Sequence, residues 1–273
     1  QDAEAKAAEE RAAAARAWSP VVTAAGGEAQ TLGEQILQIA HIIASGSLFA
    51  PLTDPGRSGD DKAALATRLL AGRADDRVVE LLAGLVRHRW SKAMDLVTAL
   101  HDMGIETILA GARAAGTLDD VEQQVFEVSV ELERDQGLRE ALEPSRRAST
   151  DARVRLARRI FSPMLSGPAM SLVIWCVRHR SQSGVTRNLR RVVELAAGMQ
   201  NRAIADVVSA VPLTTAQEAR LRAVLIGRLG EDVEINSTVD PSVIGGVKVT
   251  VRDTVIDSTV RSSLDGLRVA LAG

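Results

Sequence analysis

The chain has 273 residues, a formal net charge of −2 and a single cysteine, and 46% of its residues are apolar. This length suffices for two or three small domains, and the near-neutral charge provides no global attraction to nucleic acid or membrane. Cys176 alone excludes an internal disulfide framework, and no apolar run approaches the roughly 18 residues needed to cross a bilayer, so we expect a soluble, cytoplasmic protein.

Helical periodicity dominates the chain from its start to about residue 200. The first helix runs from Asp2 to about Ala24, where Gly26 and Gly27 end it. It begins without a capping residue, which favours a chain cut from a longer polypeptide. The buried stripe of the second helix comprises Ile36, Leu37, Ile39, Ala40 and Ile43.

Three further helices are predicted before residue 116. Pro51 and Pro55 bracket a loop, and Asp60 is the predicted N-cap of the helix that follows and that Gly72 closes. The next helix carries the apolar stripe Val78, Val79, Leu82, Leu85 and Val86, and another runs from Met94 to Ala115.

The same helical pattern then occurs a second time. Val86-Arg-His-Arg89 returns 91 residues later as Val177-Arg-His-Arg180, and the apolar stripe of the second helix returns as Val125, Phe126, Val128 and Leu132. Further segments match in the same order at a nearly constant offset, which indicates an internal duplication. Residues 1–30 are therefore read as an N-terminal helix, 31–115 as copy one of a helical bundle and 116–200 as copy two.

Residues 201–273 are predicted to form a different kind of domain. Arg202 to Val211 is rich in β-branched residues, and Thr214 or Thr215 caps a helix with the buried face Leu221, Val224 and Leu225. Strands 232–239, 247–251 and 255–256 follow, and a last helix carries Val260, Leu264, Leu267 and Leu271. The fold class is thus mainly α, with two tandem helical bundles and a small β-α-β-β-β-α domain at the C-terminus.

Residues that often carry chemistry do not form a recognisable catalytic or metal motif. His41, His88, His101 and His179 lack metal-ligand spacing and are expected on the surface or between helices. Cys176 lies in an apolar helical run and is expected to be a buried, unreactive thiol. The Gly245-Gly246 pair precedes no helix and is interpreted as backbone kept small where strands approach closely. We therefore predict no catalytic residue, no metal and no cofactor.

Copy two carries an excess of arginine. Between residues 137 and 191 there are twelve Arg against Glu140, Glu143 and Asp151. Such a cluster can bind the phosphates of RNA or DNA, which makes a basic nucleic-acid adaptor the alternative function. However, no aromatic residues accompany the arginines, and Arg binds carboxylates well. An acidic protein neighbour is the preferred interpretation, and no nucleic-acid partner is expected.

The C-terminal region resembles the δ subunit of F-type ATP synthases, equivalent to the oligomycin-sensitivity-conferring protein. The resemblance rests on Ser209-Ala-Val-Pro-Leu213, on Val239-Asp-Pro-Ser-Val-Ile-Gly-Gly246 and on Val255-Ile-Asp257. The doubled helical unit and Gly116-Thr-Leu-Asp-Asp-Val-Glu122 are similar to the actinobacterial type, in which a stator b polypeptide is fused ahead of δ in some relatives. Arg252 and Ser258 stand where the family usually has Gly.

The resemblance implies a stator that holds the catalytic head to the peripheral stalk against rotor torque. The helical bundle would bind the N-terminal helix of an α subunit, and the C-terminal domain would bind the b subunit. The chain would then be peripheral on the cytoplasmic face of the plasma membrane, attached only through the complex. The predicted partner-binding residues are Val79, Leu82, Val86, Leu172, Val173, Val177, Leu221, Leu225, Leu264 and Leu267. The predicted structural residues are Asp240, Pro241, Gly245 and Gly246. Core packing alone also explains the apolar residues of the two copies.

Overall fold

The computed structural model of the chain describes residues 2–90, 92–180, 184–241, 247–251 and 254–256. The chain divides into two compact units, Gln1–Ala197 and Gly198–Gly273. The first unit is helical, and the second contains strands and one helix in its described part. This arrangement confirms a mainly α protein with a small α+β C-terminal domain. None of the helices in the described ranges is long and apolar enough to span a membrane.

The described residues of the first unit form eleven α-helices, and a 3-10 turn at Gly26–Glu28 joins the first two. The helices are α1 (Asp2–Ala25), α2 (Ala29–Ser45), α3 (Phe49–Thr53), α4 (Gly59–Leu70), α5 (Asp76–Arg87), α6 (Ala93–Ala114), α7 (Leu118–Arg134), α8 (Gln136–Leu142), α9 (Thr150–Phe161), α10 (Gly167–Arg178) and α11 (Gly184–Gln200).

Serine side chains start α4 and its counterpart α9. Ser58 Oγ accepts a hydrogen bond from the Asp61 amide at 3.1 Å, and Ser149 Oγ accepts one from the Ala152 amide at 3.2 Å. The prediction that Asp60 caps α4 is therefore wrong. Ser58 has the extended backbone that an N-cap needs, whereas Asp60 lies in the first turn, where its carboxylate faces the positive end of the helix.

The predicted loop between Pro51 and Pro55 also needs correction. Pro51 lies in the first turn of the short helix α3. Amides in the first turn of a helix have no partner within the helix, so a proline, which lacks the amide hydrogen, costs no hydrogen bond there. The predicted glycine stops are confirmed at Gly72, which has a φ of 71°. A residue with a Cβ would be strained in this conformation, so glycine suits the end of α4.

The helices of the first unit repeat in order and in length. α2 and α7 each have 17 residues and start 89 residues apart, at Ala29 and Leu118. α4, α5, α9 and α10 each have 12 residues, and each member of the second pair starts 91 residues after its counterpart in the first. The order α2 to α6 thus recurs as α7 to α11, as the sequence repeat predicts. Both copies lie within one compact unit.

The same long-range hydrogen bond occurs in both copies. In copy one, Gln35 Oε1 on α2 accepts from the Asp75 amide at the start of α5, at 2.8 Å. In copy two, Gln124 Oε1 on α7 accepts from the Ser166 amide at the start of α10, also at 2.8 Å. Amides at the start of a helix have no acceptor within the helix, and each glutamine supplies one.

Each copy also buries one cation at the same position. Lys62 on α4 is 3% exposed and its Nζ lies 3.5 Å from the His88 carbonyl oxygen. Arg153 on α9, 91 residues later, is 2% exposed and donates from Nη1 to the Val177 and Leu142 carbonyl oxygens at 2.9 and 3.0 Å. Both cations lie at the C-terminal end of the partner helix, α5 or α10, where the helix dipole favours positive charge.

Small residues allow α2 and α6 to pack closely. A Cβ placed on Gly33 of α2 would lie only 2.8 Å from the backbone oxygen of Gly104 on α6. Next to this contact, the buried Trp18 Nε1 of α1 donates to Thr107 Oγ1 of α6 at 2.8 Å. Helix α6 is therefore held by α2 through this close contact and by α1 through the hydrogen bond of Trp18.

The predicted apolar stripe of α7 is correct except for one residue. Val125, Val128 and Leu132 are buried, but Phe126 is 49% exposed. Its counterpart in copy one, Leu37, is covered because it packs against Gly104 of α6. Phe126 lies one position off the i, i+3, i+7 row of α7, and it therefore points away from the core of copy two.

The described residues of the second unit form a four-stranded sheet with one helix against it. Its elements are β1 (Arg202–Ser209), α12 (Thr215–Leu229), β2 (Asp232–Val239), β3 (Val247–Val251) and β4 (Thr254–Ile256). The strand order is β2-β1-β3-β4, with β1 and β2 parallel and the other pairs antiparallel. The predicted bounds of β2 and β3 are confirmed, whereas β1 ends two residues before the predicted Val211.

The core of this unit follows from period-2 alternation in the strands. Ala205, Val207 and Ile235 face inward and pack with Leu221 and Leu225 of α12. A capping box starts α12, because Thr214 Oγ1 accepts from the Gln217 amide and Gln217 Oε1 accepts from the Thr214 amide. The predicted final helix, with Val260, Leu264, Leu267 and Leu271, lies outside the described residues.

Candidate functional site

A groove of about 620 Å³ lies in the helical unit, between α2 of copy one and α10 of copy two. His101 of α6 forms part of its floor, and Arg158 of α9 stands at its edge. The groove therefore exists only because the two copies pack against each other. No single copy contains all of its walls.

Both walls of the groove are single helix faces. The α2 wall comprises Gln30, Glu34, Leu37, Gln38 and His41, and the α10 wall comprises Gly167, Met170, Ser171, Ile174, Trp175 and Arg178. Both sets follow the i, i+3/i+4, i+7 spacing of one side of a helix. A helix wall from residue 167 to 178 is about 17 Å long, which makes the groove three helical turns in length.

A polar network closes one end of the groove. Gln30 Nε2 on α2 donates to Ser171 Oγ on α10 at 3.1 Å and to Glu34 Oε1 at 3.0 Å. Ser171 Oγ in turn donates to Glu34 Oε1. These bonds join α2 directly to α10 and so fix the spacing of the two walls at this end.

Stacked rings form the other end. Trp175 Nε1 donates to His101 Nδ1 at 3.0 Å, and the Trp175 ring stacks on that of His179 with centroids 4.8 Å apart. Because His101 Nδ1 accepts, its neutral ring carries the proton on Nε2. Burial, with smaller contributions from His179 and His41, lowers the pKa of His101 to about 3. Burial also lowers the pKa of His179. Both rings are thus neutral, aromatic packing groups at pH 7.

The charge on the groove edge is distributed unevenly. Arg178, next to His179, is exposed at the end that contains the histidines, Arg158 of α9 is exposed at the groove edge, and Glu34 lies towards the other end. Ile174 is half-buried between them, and Leu37, Met170 and Trp175, each at most 9% exposed, complete the apolar lining. An apolar trough with a cationic end is suited to hold an amphipathic helix by its apolar stripe, with a carboxylate near the arginines.

The groove contains no arrangement for bond-making chemistry. Cys176 is fully buried next to it, and burial raises the pKa of its thiol. A buried thiol with a raised pKa is a poor nucleophile. Across the described part of the chain, no group of three or more His, Cys, Asp or Glu residues could hold a metal ion. The arrangement can bind a partner surface, and it offers no reacting group.

The structure places the six predicted binding residues of the helical copies in the interior. Val79, Leu82 and Val86 of α5 are at most 5% exposed, and Leu172, Val173 and Val177 of α10 are at most 1% exposed. These six residues are therefore core residues, which is the alternative to partner binding that the sequence also offers. Their part in partner binding stays a prediction, since any such effect would have to act through the position of α5 or α10.

The predicted residues of the C-terminal unit fall into two groups. Leu221 and Leu225 are fully buried under the sheet, in contact with its inward-facing strand residues. Asp240 donates its amide to the Ser209 carbonyl oxygen at 2.9 Å, which closes the end of β2 onto β1, and Pro241 follows in an exposed turn. Gly245, Gly246, Leu264 and Leu267 lie outside the described residues.

Residues that form the groove were missed in the sequence. Trp175 and Ile174 flank the predicted positions on α10, and Leu37 was assigned only to the core of copy one. One signal could have found them: from Leu172 to Val177, α10 is apolar on every side. A helix without a polar face must be covered on all sides or present an apolar surface, and in this run of α10 only Ile174 keeps partial exposure towards the groove.

The comparisons with known proteins agree on one family. The family model "ATP synthase delta (OSCP) subunit" matches residues 106–271. The chain is 38% identical to "ATP synthase subunit delta" of Beutenbergia cavernae over 96% of both chains. It is 34% identical to the protein of that name from Kineococcus radiotolerans, over 96% of this chain and 95% of the relative.

A third relative, "ATP synthase subunit delta" of Streptomyces griseus, is 34% identical over 90% of this chain and 91% of its own length. Proteins of this family are non-catalytic subunits of the ATP synthase. Because the family model covers more than half of the chain and the identity extends over nearly all of it, this chain belongs to the ATP synthase delta (OSCP) subunit family.

Proposed function

We propose that the chain is a stator subunit of a rotary, proton-translocating ATP synthase. It connects the catalytic head to the peripheral stalk and resists the torque of the rotor, without a cofactor or a reaction of its own. It is peripheral, on the cytoplasmic face of the plasma membrane, and reaches the membrane only through the complex. Membership of the delta (OSCP) family supports this role.

The groove between α2 and α10 is the proposed docking place for the N-terminal helix of an α subunit. A single observation supports the residue-level proposal: the groove is three helical turns long, with an apolar centre and exposed arginines at its edge. A docked helix would place its apolar stripe over Ile174, with the nearly buried Leu37 and Trp175 beneath it. Burial of apolar area is worth roughly 25 cal/mol per Å², so even a short helix can bind well.

The buried residues on the inner side of α5 and α10 support this function indirectly. Leu172, Val173 and Val177 anchor α10 in copy two and so set the position of the groove wall. Val79, Leu82 and Val86 anchor α5 in the same way. Substitution at these positions is proposed to weaken partner binding by displacing a helix.

The C-terminal domain is the proposed binding site for the end of the b subunit. Leu221 and Leu225 hold α12 to the sheet, and Leu264 and Leu267 are proposed to contribute from the final helix. Asp240, Pro241, Gly245 and Gly246 are proposed to shape the connection between β2 and β3. L225D should unfold this domain and uncouple ATP hydrolysis from proton pumping, while the isolated chain still binds the α helix through its first unit.

Binding of a synthetic α-subunit N-terminal helix to the full chain tests the groove. We expect I174D to weaken this binding about tenfold or more, because it places a carboxylate in the apolar trough. The matched control is F126D, which introduces the same charge at an exposed apolar residue outside the groove. Loss of binding in F126D with normal binding in I174D would overturn the assignment. Binding to neither α nor b, together with tight RNA binding, would favour the nucleic-acid adaptor.

A further inference from the structure

Five exposed arginines lie together on and just before α9 in copy two. Arg155, Arg158 and Arg159 are exposed residues of α9 itself, and Arg146 and Arg147 are exposed in the segment that leads into it. In the described part of the chain, none of these five guanidinium groups makes a hydrogen bond or an ion pair. We call them the α9 arginine surface.

The internal repeat shows that this charge is not required by the fold. Residues 143–162 contain six arginines and two carboxylates, whereas the equivalent residues 52–71 of copy one contain three of each sign. The counterparts of Arg155 and Arg158 are Ala64 and Thr67, both exposed. The same helix with the same cap thus forms without the added charge, and the arginines are an addition to the surface of copy two.

The spacing of the arginines sets the geometry of a partner. Arg155 and Arg159 are four residues apart, and Arg158 lies between them on the neighbouring row of the same face. Side chains at i and i+4 are about 5–6 Å apart at Cβ, the same separation as carboxylates one turn apart on another helix. Guanidinium groups bind carboxylates through two parallel hydrogen bonds, which makes such a match specific as well as attractive.

The surroundings favour a protein partner over a polynucleotide. The aromatic residue of α9, Phe161, is buried and offers no ring on which a base could stack. Stacking on aromatic side chains provides much of the binding energy of single strands. Met164, which is 45% exposed just beyond α9, instead offers the flexible apolar contact that protein interfaces use.

We propose that the α9 arginine surface is a second docking site, for an acidic protein segment that carries carboxylates one helical turn apart. Arg158 lines the groove edge and belongs to both places, but Arg155 and Arg159 do not line the groove, so the site is separate from the apolar centre of the groove. It gives copy two a charge-dependent contact that copy one cannot make. Failure of the groove assignment would leave this proposal intact.

The test uses the full chain and three labelled probes in fluorescence anisotropy. The probes are a helical peptide of about 20 residues with glutamates four apart, the same peptide with glutamine at those positions, and a single-stranded oligo-uridine of similar length. We expect the wild-type chain to bind the glutamate peptide and to lose affinity as salt rises from roughly 50 to 300 mM. The glutamine peptide should not bind measurably.

R159E and R68E form a matched pair for this test. They occupy equivalent exposed positions on α9 and α4 and change the net charge equally. We expect R159E to weaken glutamate-peptide binding about tenfold, R155E/R159E to weaken it further, and R68E to change it less than about twofold. Helix content by circular dichroism should be the same in all variants, since these side chains are exposed.

Three results would overturn the proposal. Equal loss in R68E and R159E would show that only total charge matters. If the chain did not bind the glutamate peptide at low salt, the α9 arginine surface would not be a docking site for acidic segments. Tighter binding of oligo-uridine than of the peptide, with the same dependence on Arg155 and Arg159, would replace the protein partner with a nucleic acid.

Discussion

The two helical copies share their internal bonds and differ on their surfaces. The amide of Asp75 in copy one and that of Ser166 in copy two receive the same glutamine contact at 2.8 Å. The ion pair between Arg87 and Asp60 recurs 91 residues later, as Arg178 with Asp151. The glutamine contacts satisfy amides at helix starts in both copies, whereas the ion pairs are exposed and contribute little to stability.

The surfaces have diverged at equivalent positions. Trp175 and Ile174 form the groove wall on α10, where copy one has the small residues Gly84 and Ala83 on α5. Large side chains at this site give α10 an apolar surface that α5 lacks. The repeated scaffold therefore supports two different surfaces, and the binding features concentrate in copy two. The following variants test that division.

Loss of the buried cation should be more costly in copy two than in copy one. R153A would leave the Val177 and Leu142 carbonyl oxygens without their donor and a cavity behind them, so we expect the free energy of unfolding to fall by about 3 kcal/mol or more. K62A removes a single contact of 3.5 Å and should cost about 1 kcal/mol.

Urea denaturation followed by tryptophan fluorescence measures both variants. All three tryptophans, at positions 18, 90 and 175, lie in the helical unit, so the signal does not depend on the C-terminal unit. If both substitutions lowered the free energy of unfolding equally, the two cations would contribute equally to stability. That result would contradict the difference expected from their hydrogen bonds.

The close packing of α2 on α6 is a second point at which the copies differ. G33A would place a methyl group 2.8 Å from the Gly104 backbone oxygen, which cannot move without shifting α6. We expect a loss of about 2 kcal/mol of unfolding free energy in the same denaturation experiment. The equivalent position of copy two is Glu122, which already carries a side chain. The control is G84A on α5, where an added Cβ would meet no atom within 4 Å and should not lower stability. If G33A left the free energy of unfolding unchanged, the close contact between α2 and α6 would be contradicted.

Much of this fold can be predicted from the sequence, because its signals are local. The repeat, the glycine stop at Gly72 and the strands β2 and β3 all depend on residue type and period within short windows. The N-cap of α4 was misplaced because Ser58 and Asp60 are both good capping residues by type. Only the backbone conformation, extended at Ser58, decides between them.

The groove could not be predicted because it depends on contacts between distant segments. Gln30 meets Ser171 across 141 residues of sequence, and no periodicity within α2 or α10 indicates that these two faces meet. The apolar positions on α10 were recognised, but the sequence did not show which of them face inward. Leu172, Val173 and Val177 turned out to be core, and Trp175 and Ile174 line the groove.

Acid should weaken the groove end that contains the histidines. The pKa of His101 is lowered from its ordinary value of 6.5 to about 3 in the folded chain. The unfolded chain therefore takes up a proton first as the pH falls, and stability is complete above pH 6.5 and declines towards pH 3. The slope approaches 1.4 kcal/mol per pH unit, so His101 alone should cost about 2 kcal/mol by pH 5.

The matched variant for this effect is H101V, which introduces the residue found at the equivalent position of copy two, Val192. Urea denaturation at pH 7.5 and pH 5 should show a smaller difference in H101V than in the wild type. The lowered pKa of His179 also makes the folded chain less stable as the pH falls, so part of the acid sensitivity should remain in H101V. An unchanged pH dependence in H101V would exclude His101 as its source.

The smallest expected effect is also the most direct test of the duplicated scaffold. Q35A and Q124A each remove a side-chain acceptor at 2.8 Å from a helix-start amide, at Asp75 and Ser166. We expect each to lower the free energy of unfolding by about 1 kcal/mol. The Q124A effect should be slightly larger, because Gln124 Oε1 also accepts from Ser166 Oγ at 2.9 Å. The double variant should show the sum, since the two sites share no partner. A loss confined to one copy would mean that only one of the two bonds still supports its helix, and that the internal framework has diverged along with the surface.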